Sequence, residues 1–493
     1  MNDMNWLAIY PEILLLAMGC LVALVDLWVT DEQRRPTYWL TVLTLVVVGG
    51  MHFCYFNAGL TTYAMQGMVV ADPMGHLLAG FASLATLVSL VYARPYAGVR
   101  EMLKGELFTL SLFTLLGVNV MLSANNFLVI YLGLELMSLS LYALVAVRRD
   151  HSVSTEAAMK YFVLGALASG FLLYGLSMMY GATGSLSIPK VFEVITQGVP
   201  NHSVLVFGVV FVVAGLAFKL GAAPFHMWVP DVYQGAPTAI TLLIGAAPKL
   251  AAFAITVRLL VEGMIGLAVD WQQMLVVLAV LSLLIGNLAA IAQTNLKRML
   301  AYSTIAQMGF MLLGMASGVV NNNTLSAANA YSSSMFYAVT YVLTTLGTFG
   351  MVILLSRQGH EAEELKDLAG LAKRSPWFAL VMTLFMFSLA GIPPTVGFYG
   401  KLAVLQALVA TGVTFYLWLA IFAVLISLVG AFYYLRVVKV MFFDEPTDTA
   451  PLAAPSDVRV VMTLNGIAVL VFGLLPGGLM AVCAQAIVKA LAT

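Results

Sequence analysis

Long, nearly unbroken apolar runs set the limits on what this chain can fold into. Val204–Ala217 and Leu417–Ala431 are two of many. About 20 such residues, at 1.5 Å rise each, cross the hydrocarbon core of a bilayer as a helix. Barrel strands would alternate apolar and polar residues over about 10 positions. The runs here do not alternate, so helices are expected, the other structure that satisfies its own backbone in lipid. Composition agrees: 61% of the 493 residues are apolar and 9% are charged, against about 25% charged in a soluble domain. Lys plus Arg and Asp plus Glu number 23 each. No basic excess is left for a nucleic-acid surface.

Setting apolar runs against polar breaks predicts fourteen spans: 6–29, 37–56, 74–92, 106–122, 126–147, 156–180, 203–223, 237–261, 272–292, 299–317, 328–356, 376–410, 413–440 and 460–486. The fold class is all-α, a polytopic membrane protein, with 1–493 as one integral membrane domain because most connections are short. Three connections are longer. Gly181 to His202 carries Gly, Pro and Asn. Arg357 to Ser375 places Leu365, Leu368 and Leu371 at threefold spacing and predicts a short interfacial helix. Phe443 to Arg459 holds three prolines and four acids and predicts a solvated loop.

Positive charge sorts across these spans. Sixteen of the 23 Lys and Arg fall on one side and three, Lys190, Arg258 and Lys489, on the other. By the positive-inside rule the rich side is cytoplasmic, which puts both termini outside. The first 30 residues lack Lys and Arg, so the first run reads as a retained span and not as a signal peptide. Cys20, Cys54 and Cys483 form no CxxC pair, which points to neither a metal site nor a disulfide framework. A phosphate loop, an HExxH and a dinucleotide fingerprint are also absent, so no cofactor or metal site is expected in this chain.

Two spans contain breaks. The first is Lys219-Leu-Gly-Ala-Ala-Pro-Phe-His226, with Pro230 and Pro237 beyond it. The second is Gly391-Ile-Pro-Pro394, inside a stretch too long for one straight span. Proline removes a backbone donor and frees a carbonyl. Broken helices in spans seven and twelve, an odd offset apart, point to inverted repeats around a transport site.

Ionisable residues inside the spans are the candidate site. A charge at the bilayer centre costs about 2.5–3.5 kcal/mol. Glu135 lies near mid-depth, either as a hydrogen-bonded neutral carboxyl or as a relay acid. Lys219, Lys249 and Lys401 lie deep, beyond easy snorkelling. Lys160 is only a few residues into its span, and by position alone it snorkels to the interface. His226, beside Trp228 and Asp231, packs the first break or takes part in the chemistry. His52, His76, His151, His202 and His360 sit at span ends or in loops and read as structural. Tyr302, Ser303, Thr304 and Gln307 line a hydrated path or simply pack on neighbours.

At this point several strings carry a resemblance. Leu134-Glu-Leu-Met-Ser-Leu, Met159-Lys-Tyr-Phe-Val-Leu-Gly, Phe218-Lys-Leu-Gly-Ala-Ala-Pro-Phe-His-Met-Trp and Asp231-Val-Tyr-Gln-Gly-Ala-Pro-Thr resemble the antiporter-like subunits of respiratory complex I. Lys297-Arg-Met-Leu-Ala-Tyr-Ser-Thr-Ile-Ala-Gln-Met-Gly and Leu389-Ala-Gly-Ile-Pro-Pro-Thr-Val-Gly-Phe-Tyr-Gly-Lys narrow it within that family. A related chain that ends in a lateral helix is longer, and another carries Glu where this one has Lys401.

The resemblance implies a fourteen-helix fold with inverted five-helix repeats, spans 4–8 (106–261) and 9–13 (272–441), forming a core over 106–441. It implies that Glu135 pairs with Lys219, that Lys160 belongs near that pair, that Lys249 connects onward and that Lys401 lies on the exit side. It implies a non-redox, proton-translocating membrane-arm subunit of NADH–quinone oxidoreductase in a bacterial inner membrane. Its partners would be flanking membrane subunits and lipid, and FMN, iron–sulfur clusters and quinone would belong to other subunits. A sodium/proton antiporter of Mrp type and a purely sealing subunit are the readings that compete.

Overall fold

The computed structural model describes residues 4–198, 202–357, 359–446, 452 and 454–492. Among them, twelve helices are long and apolar enough to cross a membrane. Three shorter apolar helices, Pro376–Ala390, Val396–Ala410 and Gly477–Leu491, accompany them. Leu296–Met315 also runs through the bundle and is buried along almost its whole length, although Lys297, Arg298 and a polar face dilute its apolar character. Among the described residues a large contiguous hydrophobic core extends from Leu15 to Ala490, and a small cluster of Ala8, Ala64 and Ala71 lies apart from it.

Burial sorts the helices into an inner and an outer set. In Thr238–Gly263 the apolar stretch is 100% buried, and in Ala327–Leu355 it is 89% buried. Trp6–Asp26 and Thr414–Phe443 are each 28% buried, and side chains such as Trp418 and Leu428 point outward. An outward apolar face suits lipid as well as it suits a neighbouring subunit.

The breaks follow the local chemistry. The seventh span stops at Leu220 and resumes at Trp228. The twelfth stops at Ala390 and resumes at Val396. Both interruptions lie where Gly and Pro predict them. Two further interruptions were not expected. The eighth span is divided at Ala246 between Thr238–Gly245 and Ala247–Thr256. The cause is Pro248, which has no N–H to give Ile244 and crowds its carbonyl. The last span is longer than 460–486. It runs as Ser456–Leu474 and then Gly477–Leu491, divided at Pro476.

The longer connections differ from expectation in detail. Leu365, Leu368 and Leu371 do not lie on a membrane surface. All three are buried in the core, in two short turns, Leu365–Leu368 and Leu371–Arg374. The segment is tied down by backbone bonds from Leu365 to Thr294 and from Leu296 to Glu363. The connection after the sixth span contains an amphipathic helix, Ile188–Gln197, whose Ile188 and Val191 face inward. Of the expected solvated loop, 447–451 and 453 lie outside the described residues. A small hairpin, Thr62–Ala64 paired with Val69–Ala71, precedes the third span.

Candidate functional site

The broken helices explain how lysines are held in the interior. A helix end leaves its last carbonyls unpaired and carries about half a negative charge. In the seventh span those carbonyls are taken by side chains. Lys249 Nζ donates to Leu220 O at 2.8 Å and to Lys219 O at 3.3 Å. Trp228 Nε1 donates to Phe218 O at 2.9 Å. The freed Ala223 N–H donates to Ser282 Oγ at 2.8 Å.

The twelfth span repeats the device. Lys401 Nζ donates to Ala390 O at 2.9 Å and to Ser427 Oγ at 2.8 Å. Gln307 Nε2 donates to Leu389 O at 3.0 Å. Gly397 N–H donates to Ser388 Oγ at 3.1 Å. Each ammonium also lies over an aromatic face, Lys249 at 5.5 Å from the Trp228 ring and Lys401 at 5.0 Å from the Phe310 ring. Such contacts favour a cation. Neither lysine has a carboxylate partner among the described residues.

Two glycines make room for this arrangement. Gly221 has φ +78° and Gly391 φ +83°, both in the left-handed region. A Cβ on Gly391 would lie 2.7 Å from Lys401 Cδ. Gly391→Ala is therefore expected to cost about 1–2 kcal/mol from backbone strain alone and to displace Lys401. Thermal unfolding of the assembled membrane complex measures the first effect, and its proton uptake measures the second.

Glu135 and Lys219 are near one another without forming an ion pair. Lys219 Nζ donates to Ser138 Oγ at 2.9 Å, one turn along the helix from Glu135. Glu135 Oε1 is buried and lacks a protein partner. Lys160 is placed differently. It is exposed at the Lys/Arg-rich mouth and pairs with Asp231 at 2.8 Å and Glu156 at 2.9 Å. Position within the span therefore describes Lys160 well. Its Asp231 partner is shared with Arg298 at 2.8 Å. These groups line a charged vestibule of about 570 Å³ together with Arg148, Lys297 and Glu363. His226 is half-buried in the first break, and its Nδ1 has no protein partner.

Beside the Lys401 site lie two groups of buried hydrogen-bonded hydroxyls and amides on Leu296–Met315 and its neighbours. Tyr341 donates to Thr304 Oγ1 at 2.8 Å. Ser303 and Tyr434 share a hydrogen bond of 2.5 Å. Gln307 bonds Tyr434 at 2.9 Å and also receives the Tyr337 hydroxyl. The Leu389 carbonyl at the end of this network is adjacent to the Ala390 carbonyl that holds Lys401. Ser303, Thr304 and Gln307 were visible in sequence. Tyr302 is only half-buried and lies outside this network. Tyr337, Tyr341 and Tyr434 were missed, because an aromatic in an apolar run reads as packing.

Other buried polar groups were also unforeseen. Arg258, sorted among the charges of the poorly charged side, is only 1% exposed. It holds Asp72 at 2.8 Å and Glu262 at 3.0 Å and donates to Leu122 O. The physical reason is charge neutralisation, since such a cation stays buried only when paired. His52 and His76 lie near span ends, as expected, inside Arg35–Ala58 and Pro73–Gly98. They are buried and meet Nδ1 to Nδ1 at 3.1 Å, and Asn119 bonds His52 Nε2 at 3.2 Å.

Comparison with known proteins agrees with this architecture. A family described as NADH:quinone oxidoreductase/Mrp antiporter, TM, matches residues 124–427. NADH-quinone oxidoreductase subunit N of Polaromonas naphthalenivorans is 63% identical over 489 residues, covering 99% of this chain and 98% of the relative. The same subunit of Herminiimonas arsenicoxydans is 62% identical over 497 residues, covering 100% of both chains. A chain of respiratory complex I from Thermus thermophilus with bound Aureothin superimposes with a TM-score of 0.81 at 31% identity, covering 97% of this chain and 100% of that one. A chain of the Mrp complex from Dietzia sp. DQ12-45-1b shares the fold, with a TM-score of 0.81 at 23% identity, covering 98% of this chain and 96% of that one. The chain belongs to the NADH:quinone oxidoreductase/Mrp antiporter family, and within it to subunit N of NADH-quinone oxidoreductase.

Proposed function

We propose that this chain carries protons across a bacterial inner membrane as a membrane-arm subunit of NADH–quinone oxidoreductase. The observation that carries this reading is the seating of Lys249 and Lys401, without carboxylates, on the free carbonyls of two helix breaks. Lys249 sits between opposed fields. The carbonyl end of His202–Leu220 favours its ammonium, and the amino end of Ala247–Thr256 disfavours it. A group held by nearly balanced fields gains and loses a proton at small cost, which a relay needs and a structural cation does not.

In this account Glu135 and Lys219 form the input pair. Lys219 passes a proton to Lys249 when the Lys249 amine is neutral, its Nζ lying 3.3 Å from the Lys219 carbonyl. The Ser303, Tyr434 and Gln307 network then leads toward Lys401. The charged vestibule with Lys160 and Asp231 faces the cytoplasm and supplies protons. Both termini lie on the opposite, periplasmic side. Residues 106–441 form the transporting core, as inverted repeats 106–261 and 272–441. Flanking membrane subunits cover the outward apolar faces. FMN, iron–sulfur clusters and quinone lie in other subunits, and quinone reduction there shifts the Glu135–Lys219 pair.

The test uses the assembled complex in sodium-free proteoliposomes. NADH oxidation is expected to acidify the lumen, and Lys219→Ala to lower the protons delivered per electron. A full ratio with normal turnover in Lys219→Ala would overturn the relay. An obligatory need for sodium would favour an Mrp-type antiporter.

A further inference from the structure

A second set of buried titratable groups lies on the side opposite the vestibule, in the first four spans. Glu12 is in the first turn of Tyr10–Asp26, and its Oε2 is buried without a protein partner. His52 is in Arg35–Ala58, and His76 and the capping Asp72 are at the start of Pro73–Gly98. Asn119 is in Gly105–Leu122, and its Oδ1 is also buried without a protein partner. Glu12, His52, His76, Asp72 and Asn119 together line a cavity of about 10 Å³, room for about one water molecule.

The imidazole contact constrains the protons. At 3.1 Å from Nδ1 to Nδ1, one ring donates and the other accepts, whichever way the Asn119 amide is turned. The pair is therefore a ready path for a proton between rings. The Glu12 carboxyl faces the same cavity. A structural histidine pair would not need a carboxyl with a free buried oxygen beside it.

We propose that Glu12, His52 and His76 form a proton-loading site near the periplasmic face, distinct from the Glu135 to Lys401 line. The site holds one proton in two arrangements. Either the Glu12 carboxyl is protonated beside neutral imidazoles, or the Glu12 carboxylate faces an imidazolium. Transfer breaks one O–H bond and forms one N–H bond, so the net charge of the site does not change. The surrounding charges are Asp72, Arg258 and Glu262, with Arg258 and Glu262 at the outer end of the eighth span that carries Lys249. Tyr55 of the second span faces Glu12 and Tyr10 of the first. Lys489 of the last helix bonds Gly59 O at the end of the second span. Movement of the eighth span thus shifts the field on the site through Arg258.

The proposal rests on the proton-translocating reading above. The experiment measures protons per electron in proteoliposomes of the intact complex, with wild type, Glu12→Gln, Glu12→Asp, His52→Phe and Lys249→Ala side by side. Glu12→Gln and His52→Phe are expected to lower the ratio as far as Lys249→Ala does, and Glu12→Asp to restore it. Subunit content and NADH oxidation by a soluble acceptor are expected to stay at wild-type levels. A full ratio in Glu12→Gln, with Lys249→Ala impaired, would overturn this proposal alone. A full ratio in Lys249→Ala would instead remove the reading beneath it. Equal losses in Glu12→Gln and Glu12→Asp, tracking loss of subunits, would make the site structural and also overturn the proposal.

Discussion

Lys249→Arg in the assembled complex is expected to reduce proton-coupled turnover about 100-fold, within the range that removal of a positioned proton-transfer group produces. Arginine keeps a cation against the Leu220 and Lys219 carbonyls, so the helix break keeps its donor. It does not release its proton in a protein. The substitution thereby separates holding a charge from passing one. Lys249→Met removes both and leaves the freed carbonyls unpaired, at about 1–3 kcal/mol for each buried group. Wild-type turnover in Lys249→Arg would show that the cation is structural. The measurement is NADH-driven quinone reduction together with proton uptake.

The largest loss of stability is expected for Arg258→Ala. Arg258 neutralises Asp72 and Glu262, and its guanidinium has almost no contact with solvent. Removing one partner of a buried ion group costs about 3–5 kcal/mol, because the remaining charges stay buried. Asp72 also caps Pro73–Gly98 by accepting from Gly75 N–H at 2.8 Å. Detachment of the first four spans from the eighth is therefore the expected failure, read as a lower unfolding temperature and loss of the assembled complex. Adding Asp72→Asn to Arg258→Ala is expected to recover part of the loss, since one of the two stranded charges is gone. A single variant as stable as wild type would contradict the role given to Arg258.

What could be read from the sequence depended on contrast. Lys219, Lys249 and Lys401 stand out because each interrupts an apolar run, and the Gly and Pro of the two main breaks stand out for the same reason. The structure places Lys249 and Lys401 against those breaks, a relation the sequence shows for Lys401 only, a few residues downstream. Tyr337, Tyr341 and Tyr434 lacked that contrast. The Arg258–Asp72 pair joins residues 186 positions apart, and no local pattern links them. His52 and His76 sit near span ends where the apolar runs place them, but they meet across two helices, 24 positions apart, and no local pattern shows that contact. The leucines at 365, 368 and 371 mislead in another way. Their spacing is right for an amphipathic surface, but the surface they meet is the protein's own core.

The central claim is that Lys219 and Lys249 act in one path. The most direct measurement is NADH-driven proton uptake by the complex carrying Lys219→Ala, Lys249→Ala and both together. Groups that act as a unit give losses that do not add. The double variant is therefore predicted to be about as slow as the slower single variant. Losses that multiply would place the two lysines in separate paths and contradict the account.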